Sequence, residues 1–392
     1  MGSFSPLSAF ADLAPPPHDE QIALTQVHDT DPNEQKVNLS TEEYKDRNGE
    51  PWVLPVVRQT ELELIMDTSL THSKSSVRSP ANFIHAAQDM IFGPLSSELK
   101  SKIASIQTVS GTGACHMGTR LLCDTIKPKT IWMPDLTYTS HDAIWDWMGT
   151  VQKRAYPYSL PDRSAIDFER MLDSLNTKAQ RNDIILLDSC AHGSSGLDLE
   201  PHQWIELGEV CRRIEIFPFF DSTYQGFASG DPDTDVWAIR CFVQLGLEVC
   251  VAQSFSRNFG LSGERVGCLH VVLAFPDQRE AVLNKLYYYQ RGLTSTPPTY
   301  GANLVSTILT SESLYAAWRA DLKSMTDRIK KLRLGLYAEL IKRRRGMFAY
   351  TSLSKQHIEL LRKDYHIYIM STGRISLPGC MLGGPKWSKS YC

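Results

Sequence analysis

Apolar residues fall along this chain in short unbroken runs, separated by stretches with helical spacing. "DIILLDSC", "EIFPFFDS", "LEVCVAQSFS" and "GCLHVVLAF" are such runs, each bounded by polar or glycine positions. A strand covered on both faces by helices reads this way, because neither side of it meets water. Between the runs, "PHQWIELGEVCRRI" and "PDQREAVLNKLYYYQRG" place apolar residues on one helical face. The alternation predicts an α/β fold with a mostly parallel sheet flanked by helices.

Toward the C-terminus the pattern changes. "SLYAAWRADLKSMTDRIKKLRLGLYAELIKRRR" has apolar residues at three- and four-residue spacing and predicts a long amphipathic helix. "SKQHIELLRKDYHIYIM" then reads as a helix running into a strand, which predicts a smaller α+β domain appended to the sheet domain. The expected division is an N-terminal arm over 1–13, a small domain from 14–51 and 325–392, and a large α/β domain over 52–324.

Length and composition narrow the function. A chain of 392 residues, 42% of them hydrophobic, is long enough for about two domains. Its 41 basic and 44 acidic residues leave a formal charge of −3, no field that would draw nucleic acid or an anionic membrane. No apolar run approaches the roughly 20 residues of a membrane span. The leader "MGSFSPLSAFADLAPPPHDE" has no basic residue, unlike secretory or organelle-targeting segments. The 9 cysteines have no C-x-x-C spacing and read as scattered thiols of a reducing compartment. A cytosolic protein is expected.

In an open parallel sheet, ligands bind beyond the carboxyl ends of the strands. "VSGTGACHMGTRLL" puts a Gly-rich turn before a helix, where free N–H groups and the helix dipole favour a phosphate. It lacks the Gly-Lys-Ser/Thr ending of a nucleotide-binding loop. "FFDSTYQGF" places Asp221 just after an apolar run, with Tyr224 following. His116, His141 and His270 have no Cys, Asp or Glu at ligand spacing and read as packed or solvated residues, so neither metal nor ATP is expected.

Taken together, "VNLSTEEYKDRNGEPWVLPVVRQTE", "SGTGA", "CAHGSSGLD", "FDSTYQGFASGD", "SFSRNFGLSGERVG", "STPPTYGA" and "STGRISLPG" resemble, in order, segments of the class I aminotransferases of fold type I, specifically the aspartate aminotransferase subgroup. The resemblance runs from about Phe10 to Gly379 and implies a pyridoxal phosphate pocket. By that resemblance, Gly111, Thr112, Ser254, Ser256 and Arg265 match the cofactor's phosphate contacts. Asp221 matches the carboxylate at the pyridine nitrogen, and Tyr224 the phenol at the ring's 3-oxygen. Arg374 matches the arginine for a substrate α-carboxylate. Arg291 matches one that reaches from the neighbouring subunit to a second carboxylate, which implies a homodimer.

Several matched positions depart from the family. Arg257 stands where the family has its Schiff-base lysine, and a guanidinium neither condenses with an aldehyde nor gives up its proton readily. Gly193 replaces an asparagine, Tyr138 a stacking tryptophan, Glu42 a glycine beside the substrate, and Lys74 a tyrosine that reaches the neighbour's phosphate. "ELIKRRR" runs straight into "GMFAYTSLS", and "CMLGGPKWSKSYC" replaces the usual terminal helix.

The main expectation is a divergent enzyme of a specialised biosynthetic pathway. It acts on an amino or oxo acid, or another carboxylated substrate, without the lysine link. Pyridoxal phosphate is held non-covalently or is absent, Arg257, Arg265 and Arg374 bind anions, and Tyr224, His192 or Lys74 move protons. Two alternatives stand beside it: a working pyridoxal phosphate-dependent aminotransferase, with Lys74 as a substitute amine, and a non-catalytic dimeric pseudoenzyme.

Overall fold

The structure, a computed structural model, describes residues 10–379 apart from positions 12, 16, 47, 48, 72, 74, 75, 194, 336–345 and 352. Its centre is a seven-stranded sheet of β1 (Ile103–Val109), β2 (Thr130–Pro134), β3 (Gln152–Tyr156), β4 (Ile184–Asp188), β5 (Phe217–Ser222), β6 (Val249–Ser254) and β7 (Val266–Val272). The spatial order is β1-β7-β6-β5-β4-β2-β3. Pairing is parallel from β3 through β6, while β7 runs antiparallel to both β6 and β1. The α/β expectation thus holds, with one reversed strand that a doubly covered apolar run does not signal.

Successive residues of a strand point to opposite faces, and β5 shows what that does. Phe220 packs with Trp204, Leu207, Ile239 and Phe242 under one helical layer, and Phe219 with Ile106, Leu121, Leu269 and Leu286 under the other. Each such ring or aliphatic chain contributes about 1.5–3 kcal/mol by leaving water. Helix α1 (Ser110–Thr125) lies close on the sheet because Gly118 is bare: a Cβ there would sit 2.7 Å from the Phe219 ring and 3.0 Å from Cys250 Sγ.

Helices form where the apolar spacing predicts them, at Pro201–Ile214 and Arg279–Leu293. Two other helices bear on the site: α2 (Thr139–Met148) and the long α3 (Glu312–Gly335). The α3 residues Trp318, Leu322, Met325, Ile329 and Leu332 keep the three-four spacing and are all buried. Trp318 stacks on Phe259 at 4.8 Å, and its indole N–H donates to the Asn258 carbonyl at 2.9 Å. This fixes the segment that carries Arg257.

Two small sheets complete the frame. Val37–Asn38 pairs in parallel with Ile367–Tyr368, and Phe348–Tyr350 pairs antiparallel with Arg374–Ser376. The Leu39 N–H donates to the Tyr368 carbonyl at 2.8 Å, and the Ser376 N–H donates to the Leu39 carbonyl at 2.7 Å. Those bonds bring the chain entering Glu42 alongside Arg374. Most of the expected arm over 1–13, Lys74 and the C-terminal residues 380–392 lie outside the described residues.

Candidate active site

The carboxyl ends of β1, β5 and β6, with the start of β7, open onto one cavity of about 180 Å³. At one end Ser110, Gly111 and Thr112 begin α1 and line the opening, where the first-turn N–H groups of Gly111 and Thr112 have no helical acceptor. The Gly-rich segment is therefore the helix's first turn itself, not a turn preceding it. A Cβ on Gly111 would lie 2.7 Å from Ser254 Cβ, so only glycine lets α1 meet β6 this closely. Arg265, in a left-handed conformation at φ 56°, returns its carbonyl to the Ser110 N–H at 2.8 Å. Its guanidinium donates to the Ser262 carbonyl at 2.7 Å, and burial, then Arg257, hold it below the usual arginine value. Ser256 Oγ is buried with no partner among the described residues. Free N–H groups, hydroxyls and a guanidinium make this end a receptor for a dianion.

At the other end β4 and β5 bring two carboxylates into register, Asp188 beside Asp221. Asp221 accepts from Thr223 Oγ1 at 2.6 Å and pairs with His141 Nε2 of α2 at 3.0 Å. Burial alone would lower the His141 imidazole, but the Asp221 hydrogen bond and charge outweigh it and the net direction is up. Burial, then the Asp221 charge, raise the Asp188 carboxyl to about 7. Cys115 Sγ lies 3.9 Å from His141 Nε2, and Cys115, His141 and Asp221 gather their ligand-type atoms within 4.8 Å. The thiol is pushed up by burial and the imidazole is already engaged, so the trio reads as a hydrogen-bonded chain.

An acid whose pKa is raised on folding binds its proton more tightly in the native state, so stability falls as pH climbs from about 4 to about 7. Asp188→Asn keeps an oxygen for the Gly193 N–H, now donated at 3.1 Å, and removes the ionisation. Thermal denaturation across pH 5 to 8 is expected to show the variant gaining on the parent as pH rises. The gap should reach of order 2 kcal/mol near pH 8.

Between the two ends lie the phenols. Tyr138 Oη and Tyr224 Oη are hydrogen-bonded at 2.7 Å, and burial raises both. Gly193 explains the position of Tyr138, because a Cβ on it would lie 1.7 Å from the Tyr138 oxygen. The two departures noted in the sequence are thus one arrangement: the ring of Tyr138 fills space that any side chain at 193 would need.

Arg257 sits between buried Phe255 and Phe259 just after β6. Its Nη2 donates to Glu42 Oε2 at 2.6 Å and its Nη1 to Ser262 Oγ at 3.1 Å, while Nε is buried without a partner among the described residues. Burial opposes the charge on Arg257, but Tyr224 and Glu42 outweigh it. Arg374 Nη1 stands 3.9 Å from Glu42 Oε1, and its guanidinium lies 4.5 Å from the centre of the Phe348 ring.

Of the residues singled out from sequence, Glu42, Gly111, Thr112, Tyr138, Asp221, Tyr224, Ser254, Ser256, Arg257 and Arg265 line the cavity. Gly193 backs Tyr138 and Arg374 borders Glu42, each one layer out. Arg291 is exposed at the end of its helix and does not line this chain's cavity, and Lys74 lies outside the described residues. His192 is not a proton carrier of the cavity. It is buried, stacked on Tyr158 at 3.9 Å and lowered to about 3 by burial. His141, read from sequence as a solitary histidine, is corrected to the partner of Asp221. It lies 80 residues away in the chain, so no local spacing reveals it. Asp188 and Cys115 are likewise placed by tertiary register alone. His270, in contact with Ser105 and Gln253, is packed as expected.

The family profile described as aminotransferase class I and II matches residues 34–381. An L-tyrosine:2-oxoglutarate aminotransferase of Aspergillus ustus is 37% identical over 95% of this chain and 75% of its own length. The cytoplasmic aspartate aminotransferase of Oryza sativa subsp. japonica is 36% identical over 95% and 94%. Among solved structures, the cytoplasmic aspartate aminotransferase of Giardia lamblia superposes with a TM-score of 0.89 at 33% identity, over 96% of this chain and 95% of that one. The aromatic-amino-acid aminotransferase of Burkholderia pseudomallei, covalently bound to pyridoxal phosphate, gives 0.91 at 30% identity over 96% of each chain. By the extent of the profile match and by its identity to relatives along most of their length, this chain belongs to the class I and II aminotransferase family.

Proposed function

We propose that the protein moves an amino group between an amino acid and a 2-oxo acid, with pyridoxal phosphate seated in the cavity and no covalent tie to position 257. The carrying observation is the lining: dianion donors at one end, a carboxylate–imidazole pair at the other, and no lysine among the described residues between them. The chemistry of the donors fits the cofactor. Gly111, Thr112, Ser254, the unpartnered Ser256 hydroxyl and Arg265 suit its phosphate, and Asp221 with His141 suits its ring nitrogen. When bound, pyridoxal phosphate supplies an aldehyde for the substrate amine and a protonated ring that draws electrons from it.

The chain's own residues do the rest. Asp221, oriented by His141 and Thr223, holds a proton at the atom it faces. One of the Tyr138 and Tyr224 hydroxyls donates to the other, and Tyr224 Oη also faces Glu42 Oε2 at 3.4 Å. Arg374, its guanidinium 4.5 Å from the centre of the Phe348 ring, orients a substrate carboxylate in a cytosolic homodimer. Such a remodelled site suits a specialised biosynthetic step. A second reading is a lysine-linked cofactor with Lys74 as the amine, since Lys74 is the one changed pocket position that gains an amine. A purely structural dimer is the outcome in which no transfer occurs.

The test is amino transfer from a panel of amino acids to phenylpyruvate, pyruvate and 2-oxoglutarate, with and without added pyridoxal phosphate and after gel filtration. Transfer that requires added cofactor and fades on gel filtration is expected. No transfer under any condition would contradict the proposal.

A further inference from the structure

We infer that Glu42 is a resident carboxylate that neutralises Arg257 and crowds Arg374, so that the site takes acids with one carboxylate and turns dicarboxylates away. The inference rests on the amino-transfer reading and names its substrate class. Arg257 and Arg374 flank one anion: Glu42 Oε2 is 2.6 Å from Arg257 Nη2, and Oε1 is 3.9 Å from Arg374 Nη1. Tyr224 Oη adds a donor 3.4 Å from Oε2. The side chains of Glu42, Arg257 and Arg374 are only 14%, 19% and 8% exposed, so solvent screens these charges weakly.

Two cations and one fixed anion leave one unit of positive charge. One substrate carboxylate neutralises it, and a second would meet the Glu42 carboxylate rather than a free cation. The surroundings agree with this count. Across Arg257 lies a second cavity of about 100 Å³, where Trp52, Val53, Phe227 and Met347 stand beside Glu43, a lining that suits an uncharged side chain better than an anionic one.

The test is binding of 3-phenylpropionate and of glutarate to the full chain, read by thermal shift and calorimetry without cofactor and without turnover. The parent protein should bind 3-phenylpropionate at least about tenfold more tightly than glutarate. Glu42→Gln frees Arg257 and should tighten glutarate by about tenfold or more, whereas Glu206→Gln, an exposed charge that lines neither cavity, should leave both affinities unchanged. Glu42→Gln/Arg257→Gln removes both charges, so it should lose the gain. A parent that prefers glutarate or binds neither acid overturns the inference, and that arm holds even where a variant fails to fold. So does a folded Glu42→Gln protein with no gain. Because binding is read apart from turnover, a protein with this preference and no amino transfer would overturn the proposed function while leaving the role of Glu42 standing.

Discussion

Arg257→Lys is expected to raise amino transfer by at least about 10²-fold and to create a borohydride-reducible bond between position 257 and pyridoxal phosphate. A positioned proton carrier contributes roughly 10²–10⁴ in rate, and an amine beside the aldehyde adds a nucleophile that a guanidinium does not provide. The fold already supplies the setting, since Phe255, Phe259 and the Trp318–Asn258 bond fix the segment just beyond β6. Glu42 would pair with the new ammonium and hold its proton, so Arg257→Lys/Glu42→Gly should exceed the single variant. Steady-state kinetics with the best amino donor check both. An unchanged rate in both variants would mean that position 257 is not where the chemistry lacks an amine.

Asp221→Ala should lower cofactor affinity by of order 10²-fold, the usual worth of a hydrogen bond to a charged group, and should destabilise the fold by about 3 kcal/mol. Asp221 and His141 are both buried and 3.0 Å apart, so removing one partner leaves the other in low dielectric without its counter-charge. The pH dependence has a definite sign. His141 is raised on folding, so its stabilising share is fully present below its unfolded pKa near 6.5 and is lost as pH rises through the higher folded value. The stability gap between Asp221→Ala and the parent should therefore be larger at pH 6 than at pH 9. Denaturant titrations at the two pH values, with fluorescence titration of pyridoxal phosphate, check the prediction.

How far the sequence reaches can be judged from individual elements. The apolar runs become β4, β5, β6 and β7 because both faces of the sheet are covered. For the same reason the run of β7 does not reveal its reversed direction. The spacing in "SLYAAWRADLKSMTDRIKKLRLG" is visible because α3 buries one face only. Cavity residues that sit in contiguous motifs, such as Gly111, Asp221, Ser254 and Arg265, are legible. Relations between distant residues are not: Glu42 and Arg257 are 215 positions apart, and His141 and Asp221 are 80. Tyr138 and Gly193 each read as a separate loss until the ring is seen in the space of the missing Cβ.

The central claim is that the cofactor is held by the cup and not by a lysine. The direct measurement is the absorption spectrum of the protein with saturating pyridoxal phosphate, followed by borohydride reduction and peptide mass spectrometry. Saturable binding that is lost on dialysis, with no pyridoxyl group on any peptide, is the result expected. A pyridoxyl group on a lysine, above all Lys74, would contradict it.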